Sequence, residues 1–303
     1  MLLYRYLPDV KYALDALETR ELKLSRYTDF NDPFDGSFGF SGKITSEFAA
    51  NDFADVCRRN PKWRDDILQR TKDSPETLKK AIDCATQRTM MEFALYKECA
   101  RRMRTICFAE YSRMSREADV KMWGLYANKC RGARIELQVA VSNEFEDGVV
   151  DDWEDYEGGV YYRRIAYKPG RVTADCSRFK HPAELRDWLS DEYRILALQS
   201  TKNDIWAYEK EVRVFVDDEH KAIKPRDGLE FLSMPPTWKI KTIDIVPLPD
   251  EWIDSSKCEE RKKAINGIRD EIVRRHLNIE HREAILMNDA YEFDYKPFVC
   301  KAE

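Results

Sequence analysis

The sequence predicts an α+β protein built on a mainly antiparallel sheet that could be split, with one helical insertion. Strand-like patterns occur along the whole chain, whereas helical periodicity is concentrated at residues 44–103, near 190 and near 265. Strands and helices do not alternate regularly, which favours α+β over α/β. No G-x-G-x-x-G or G-x-x-x-x-G-K motif occurs, so a doubly wound nucleotide fold lacks its main sequence features. We expect one domain, 1–303.

The first elements alternate between strand and helix. Leu2–Tyr6 is β-like, and Asp9 can cap a helix whose apolar side holds Tyr12, Ala13, Ala16 and Leu17. Glu21–Ser25 alternates polar and apolar residues, as a half-buried strand does. Residues 44–103 repeat apolar positions at helical spacing, and we interpret them as the helical insertion.

The next segments predict a buried strand at Thr105–Phe108, a helix at Met122–Ala127 that ends near Gly132, and a strand at Arg134–Val141. Residues 144–157 are acidic, which indicates a solvated loop or a strand edge.

The second half of the chain predicts further strands and two helices. The strands are Gly159–Tyr167, Glu211–Val216 and Trp238–Val246, and the first helix is 181–199 with a His181-Pro182 corner at its start. Within Trp238–Val246, Ile240 is out of phase with Ile243 and Ile245. A C-terminal unit of about 250–303 should contain a helix at 250–275 and a last strand at 291–299.

Composition limits the environment and the partners of the chain. Hydrophobic residues make up 43% and charged residues 35%, and no run approaches the ~20 apolar residues of a membrane span. The start becomes polar too soon for a secretory signal, so a cytoplasmic location is expected. Eight cysteines without C-x-x-C spacing and four scattered histidines predict free thiols and no metal site. The net charge of −5 argues against nucleic acid as a bulk partner, but leaves it open as a substrate.

The segment Trp206–Arg213 has the strongest chemical pattern. If it is a strand, Glu209, Glu211 and Arg213 share one face, and carboxylates two residues apart lie roughly 7 Å from each other. One carboxylate could then stabilise developing positive charge while the other orients or deprotonates an acceptor. The alternative interpretation is a polar outer face with an ordinary Glu–Arg ladder.

Aromatic residues suggest where a flat ligand could bind. Asn31–Asp35 forms a turn around Pro33 that could clamp a ligand through Phe34, or could anchor the loop to the core. Trp123 and Tyr126 lie one helical turn apart, which is typical of a core pair and less often of a ligand platform. Arg5, between two tyrosines, could hold phosphate or pair with a carboxylate.

Five motifs in order resemble a widespread bacterial family of unknown function. They are Leu3-Tyr4-Arg5-Tyr6, Phe30-Asn31-Asp32-Pro33-Phe34-Asp35, Cys107-Phe108-Ala109-Glu110, Met122-Trp123-Gly-Leu-Tyr126-Ala127 and Trp206-Ala-Tyr208-Glu209-Lys-Glu211-Val-Arg213. Together they span residues 3–213, and the set is more specific than any single motif.

The layout more distantly resembles ADP-ribosyltransferase toxins that modify DNA. Arg5 on the first strand matches their NAD-holding residue, and Glu209 and Glu211 match the E-x-E before a late apolar strand. Met234–Val246 matches a following strand segment. A clear S-T-S motif is missing, and the helices at 44–103 have no counterpart in the resemblance.

This resemblance implies an enzyme that consumes NAD as a substrate and needs no metal. It implies that Glu211 and Glu209 are catalytic, and it places NAD against Arg5, Tyr4, Asn31, Phe34, Trp123, Tyr126 and Tyr208. The acceptor of the ADP-ribose group would be nucleic acid or protein. The protein would act as a toxin or anti-phage effector and could have an antitoxin or regulatory partner. Two other functions stay open: a nuclease holding magnesium on Glu209, Glu211 and Asp35, and a non-enzymatic sensor or effector module.

Overall fold

The computed structural model describes residues 1–26, 29–30, 39–72, 74–100, 103–140, 151–152, 159–170, 173–189, 196–197, 199–248, 255–275, 277–287 and 292–297. The α-helices of these ranges are α1 (Lys11–Thr19), α2 (Ser46–Arg59), α3 (Pro61–Thr71), α4 (Pro75–Ala100), α5 (Arg116–Tyr126), α6 (Pro182–Leu189) and α7 (Ser255–Arg274). The strands are β1 (Leu2–Leu7), β2 (Glu21–Lys23), β3 (Gly39–Ser41), β4 (Arg104–Glu110), β5 (Ala133–Gln138), β6 (Asp151–Asp152), β7 (Val160–Arg164), β8 (Ala166–Lys168), β9 (Thr173–Asp175), β10 (Thr201–Asn203), β11 (Glu211–Val216), β12 (Ile223–Arg226), β13 (Leu229–Ser233), β14 (Lys239–Ile245), β15 (Glu280–Leu286) and β16 (Phe293–Pro297).

The large sheet has nine strands in the order β16-β15-β14-β5-β1-β4-β11-β7-β6. Its neighbours pair antiparallel except β14 and β15, which are parallel. Three small sheets, β12-β13-β2, β10-β8 and β3-β9, lie outside it. The predicted α+β class with a mainly antiparallel sheet is therefore confirmed.

One face of the large sheet is apolar. Alternate residues of the central strands, such as Leu3, Ile135 and Val212, are almost fully buried there. Helix α1 covers this face with Ala13, Ala16 and Leu17, which confirms the predicted apolar side of that helix, and α7 adds Ala264 and Ile268.

The opposite face buries charged and aromatic residues. Arg134 on β5 is 1% exposed and donates to Asp244 on β14 at 2.8 Å and to Asp119 on α5 at 2.8 Å. Tyr6 and Tyr295 both donate to the Asp119 carboxylate. Because Arg134, Asp119 and Asp244 each have an opposite partner, this part of the polar face can be dehydrated without leaving an isolated ion.

The helices predicted within 44–103 are present as α2, α3 and α4. Thr45 caps α2 by accepting from Phe48 N at 3.0 Å, and Asn60 caps α3 by accepting from Trp63 N at 3.3 Å. Thr89 on α4 donates to the fully buried Asp52 on α2 at 2.8 Å, which ties these helices together.

The prediction that Glu209 lies on the same strand as Glu211 is wrong. Asp204–Glu209 is a 3₁₀ helix, and Lys210 adopts left-handed angles (φ 46°, ψ 47°) before the strand begins at Glu211. Lys210 therefore redirects the chain between the two glutamates. From Glu211 onward the alternation holds, with Val212 and Val214 on the apolar face and Arg213 buried on the other.

Other strand boundaries also differ from the sequence pattern. Gly159–Tyr167 is divided between β7 and β8 in different sheets. The phase break at Ile240 is a register shift between Ile240 and Thr242 in the β14–β5 ladder. The sequence pattern missed β15, the β12–β13 hairpin and the short strands β3, β9 and β10. The last strand and the C-terminal helix are present as β16 and α7. Most of the acidic stretch 144–157 lies outside the described residues.

Helix α5 ends differently from its prediction. Its left-handed residues are Asn128, Lys129 and Cys130, with φ between 49° and 67°. Gly132 instead passes against β1, where an added Cβ would lie 1.8 Å from the Leu7 carbonyl oxygen. The glycine is thus required by close packing of two backbones.

We expect Gly132→Ala to lower the free energy of unfolding by about 1–3 kcal/mol, the usual cost of overpacking, because backbone atoms must move. Gly124→Ala is the matched control, since Gly124 is exposed in α5 and its added Cβ would meet nothing within 4 Å. That variant should gain about 0.5–1 kcal/mol. Urea unfolding measures both, and equal effects would contradict the assigned packing.

Candidate functional site

The centre of the large sheet contains a pocket of about 320 Å³ next to the junction of β1 and β4. These strands pair only at Leu3↔Glu110 and Tyr4↔Ala109, whereas β1 and β5 pair at six positions. The pocket begins where the β1–β4 ladder stops. Its charged lining residues are Arg5, Lys23, Asp29, Lys202, Glu209 and Glu211, and its aromatic ones are Tyr4, Tyr6, Tyr12, Phe30, Phe108 and Tyr126.

Glu211 stands at the first position of β11 and is only 5% exposed. Arg213 donates to both of its carboxylate oxygens, through Nε at 2.6 Å and Nη2 at 3.0 Å. Lys202 Nζ lies 3.4 Å from Glu211 Oε2. The Glu211 backbone N–H donates to the Tyr167 hydroxyl oxygen at 2.9 Å, which fixes the start of the strand. The carboxylate is therefore held in one orientation facing the pocket.

Glu209, the last residue of the 3₁₀ helix, reaches the same place from outside the strand. Lys202 Nζ donates to Glu209 Oε2 at 2.7 Å, and the Tyr126 hydroxyl donates to Oε1. One ammonium therefore contacts both glutamates. The predicted proximity of the two carboxylates holds although the predicted shared strand does not.

The two glutamates have different proton affinities. Burial, reinforced by the Glu211 charge, raises the pKa of Glu209 from 4.5 to about 7, although Lys202 and Tyr126 act in the opposite direction. Burial alone would also raise the pKa of Glu211, but Arg213 and Lys202 outweigh it and hold this pKa well below its usual range. Near neutral pH, Glu211 is ionised while Glu209 can gain or lose a proton.

Arg5 lies on the other wall of the pocket. It interrupts the apolar face of β1 between Leu3 and Leu7, and it is 8% exposed. Its Nη2 donates to the Lys23 carbonyl at 2.5 Å, but its buried Nη1 has no hydrogen-bond partner among the residues that the structure describes. Burial lowers the pKa of Arg5 from 12.5 to about 10, so it remains charged at neutral pH. A buried, incompletely bonded guanidinium is well suited to bind an anion.

The remaining predicted ligand-binding residues are dispersed. Tyr4 and Tyr126 line the pocket, although the Tyr4 ring also lies 4.0 Å from the Arg134 guanidinium carbon. Trp123 is fully buried, donates to Tyr295 and does not line the pocket, so its expected stacking role is wrong. Tyr208 packs on Trp206 outside the pocket lining. Asn31 and Phe34 lie outside the described residues.

Sequence reasoning missed residues that complete the site. Lys202 precedes the Trp206–Arg213 motif without any recognisable pattern, and only folding brings it to the glutamates. The Cys107 thiol hydrogen-bonds Glu211 from β4. Phe30, the first residue of the Phe30–Asp35 motif, places its ring centroid 5.1 Å from the Arg213 guanidinium carbon. Phe30 belongs to the same aromatic motif as Phe34, so the sequence carried a signal for it.

Comparison with known proteins finds no matching family model, no similar curated protein and no similar solved structure. None of the helices in the described part of the chain is long and apolar enough to cross a bilayer. Within the described ranges, no group of three or more histidine, cysteine or acidic side chains is arranged to hold a metal ion.

The raised pKa of Glu209 predicts a pH-dependent stability. The folded state binds this proton more tightly than the unfolded chain does. The contribution of protonated Glu209 to the free energy of unfolding is therefore full below pH 4.5 and is lost as pH rises through about 7. Glu209→Gln removes this titration. Between pH 4.5 and 8, the free energy of unfolding of Glu209→Gln should therefore rise relative to that of wild type by on the order of 3 kcal/mol.

Urea unfolding of both proteins across this pH range measures the difference. A constant difference would show that Glu209 titrates normally in the folded state.

Proposed function

We propose that the chain is an NAD-consuming ADP-ribosyltransferase. The observation that carries the proposal is one pocket that contains the incompletely bonded Arg5 on one wall and the ionised carboxylate of Glu211, beside Glu209, on the other. NAD would bring its anionic diphosphate to Arg5 and the hydroxyl groups of its nicotinamide ribose to Glu211.

The apolar and aromatic lining supports a flat ligand. Phe108 and Tyr126 line the pocket, as does Phe30, whose ring lies beside the Arg213 guanidinium. Such surfaces bury the ring system of a ligand while a few charged groups set its orientation. Phe34 and Asn31, which follow Phe30 in sequence, stay candidates for covering the nicotinamide.

Glu211 would act by electrostatic stabilisation. Its carboxylate accepts a hydrogen bond from the ribose 2′-hydroxyl and faces the positive charge that develops as the glycosidic C–N bond breaks. The bonding pair leaves with nicotinamide, whose ring thereby becomes neutral. Arg213 and Lys202 keep Glu211 ionised and fixed, so little reorganisation is needed during the reaction.

Glu209 would serve the acceptor. A nucleophile on nucleic acid or protein forms the new bond to the anomeric carbon, and its proton passes to the Glu209 carboxylate. A pKa of about 7 suits a general base in a neutral cytoplasm. Glu209 ends a 3₁₀ helix, whereas Glu211 begins the strand. The two carboxylates therefore reach the pocket from different elements and can have different roles.

The resemblance inferred from the order of the sequence motifs adds support of a more general kind. Arg5 on the first strand, Glu211 at the start of a late strand and an antiparallel sheet agree with the layout of ADP-ribosyltransferase toxins that modify DNA. A toxin or anti-phage effector acting in the cytoplasm, with an antitoxin or regulatory partner, follows from the same resemblance.

The charge balance favours this function over a magnesium-dependent nuclease. Lys202 and Arg213 already supply two positive charges to the two glutamates, so the pair offers little net charge to a divalent cation. Incubation with NAD or nucleic acid, with and without EDTA, separates the two functions. EDTA-sensitive cleavage of nucleic acid would favour the nuclease, and binding without any reaction would favour a sensor module.

We expect Glu211→Gln to keep the fold and to reduce nicotinamide release from NAD by at least ~10²-fold, because the charge facing the breaking bond is removed. Glu110→Gln is the matched control. Glu110 is 3% exposed and is held by two hydrogen bonds from Arg164, but it lies outside the pocket lining. Release should stay within a few-fold of wild type in the control, and equal losses would remove Glu211 from the chemistry.

The raised pKa of Glu209 predicts a pH profile for transfer to an acceptor. The rate should increase with pH and level off above about 7, as Glu209 loses its proton. Glu209→Gln should abolish this rise while retaining a slow, pH-independent hydrolysis of NAD. An unchanged profile in the variant would assign the proton transfer to another group.

A further inference from the structure

Cys107 occupies an open position in the middle of the large sheet. The β1–β4 ladder ends at Tyr4↔Ala109, two residues short of Cys107. On the other side Cys107 pairs with Arg213 of β11, so its side chain shares a face with Arg213 and Glu211. Cys107 lines the pocket and is partly exposed, and its thiol is therefore accessible from the cavity.

The charges around this thiol leave one cation in excess. Cys107 donates a hydrogen bond to Glu211, whose negative charge is balanced by Arg213 and Lys202. Arg5 lines the same pocket, is 8% exposed and has an Nη1 without a hydrogen-bond partner among the described residues. Burial lowers the pKa of Arg5 to about 10, and the Cys107 sulfur acts in the opposite direction. A partly exposed thiol beside a cation is the environment in which cysteines become nucleophilic.

The other described cysteines lack this combination of exposure and charge. Cys130 has the same intermediate exposure as Cys107, but burial and the Asp119 charge both raise the pKa of its thiol. Cys84 is exposed on α4, outside the pocket lining. Three further cysteines are buried: Cys57, Cys176 and Cys258.

We propose that Cys107 is a modification site, which hydrogen peroxide oxidises to a sulfenic acid whose added oxygen is held by Arg5. The sulfur attacks one peroxide oxygen, so an S–O bond forms while the O–O bond breaks. The departing oxygen takes the thiol proton and leaves as water, so sulfur is oxidised and the peroxide is reduced. The sulfenic oxygen accepts a hydrogen bond from Arg5 Nη1, and its O–H replaces the thiol as the donor to Glu211. A reducing thiol restores Cys107 and is itself oxidised to a disulfide.

Oxidation of Cys107 would switch the pocket off. The new oxygen takes up the bonding capacity of Arg5 and Glu211, which the NAD-consuming reaction needs for its substrate. This consequence rests on the proposed function, whereas the oxidation itself depends only on the surroundings of the thiol.

The test is labelling of the reduced full chain with dimedone, a reagent that captures sulfenic acids, during exposure to dilute hydrogen peroxide. Peptide mass spectrometry gives the initial labelling rate at each cysteine. Cys107 should be labelled at least ~10-fold faster than Cys130 and Cys84, because accessibility and a neighbouring cation together set susceptibility. Cys107→Ser should remove this label and leave the rates at the other two cysteines unchanged.

Arg5→Gln should slow labelling of Cys107 by ~10-fold, the scale of one charge-assisted hydrogen bond, without changing the rate at Cys84. Arg163→Gln is the matched control. Arg163 is 5% exposed and burial lowers its pKa to about 10, as for Arg5, but it lies on β7 outside the pocket lining. Arg5→Lys, which keeps the charge, should retain most of the rate. Thermal melting checks the fold of each variant.

Equal labelling of Cys107 and Cys130 in wild type would overturn the modification site, as would the same loss in Arg5→Gln and Arg163→Gln. Oxidation should also stop nicotinamide release from NAD, and dithiothreitol should restore it. Release that persists after complete oxidation of Cys107 would overturn the switch. A wild type that releases no nicotinamide contradicts the proposed function alone, because the labelling rates still decide the modification site.

Discussion

The ladder between β1 and β4 stops after two residue pairs, and the candidate site is arranged around that interruption. On either side, β1 pairs with β5 at six positions and β4 pairs with β11 at six positions, so both halves of the sheet stay firmly joined. Backbone that no longer pairs across the junction leaves room for a pocket in the middle of a sheet, where neighbouring strands normally exclude ligands. Arg5 follows Tyr4, the last residue of β1 that pairs with β4, and lines this space.

Charge balance decides how the pocket can contain so many ionisable groups. Glu209, Glu211, Lys202 and Arg213 neutralise one another, and each makes direct contact with at least one opposite charge. The balance is uneven, because Glu211 contacts two cations whereas Glu209 contacts one cation and a tyrosine hydroxyl. Two residues of the same type therefore acquire different protonation behaviour from their surroundings alone. Among the described residues Arg5 has no such partner, and a buried cation without a paired carboxylate favours binding of an external anion.

Buried charges on the polar face of the sheet are also balanced by opposite charges, in a region outside the pocket lining. Arg134, Asp119 and Asp244 form a buried network that joins β5, α5 and β14, and aromatic rings exclude water around it. Arg134 forms ion pairs with carboxylates on both sides in this network, whereas the network in the pocket adjoins open volume. Buried charges of the first network join elements of the fold, and buried charges of the second stand next to a cavity.

The sequence by itself determined the α+β class, the helical insertion, the first strand and helix, and the alternation of β11, because these depend on local periodicity. It also indicated Arg5, Glu209, Glu211 and Tyr126 as candidate residues of the functional site. Only the tertiary structure decided that Glu209 ends a 3₁₀ helix, that Trp123 belongs to the core, and that Lys202 and Lys23 reach the pocket. The physical reason is that a side chain's partners come from other elements: Lys202 lies on a three-residue strand with no period to recognise, and its contacts with both glutamates depend on the left-handed turn at Lys210.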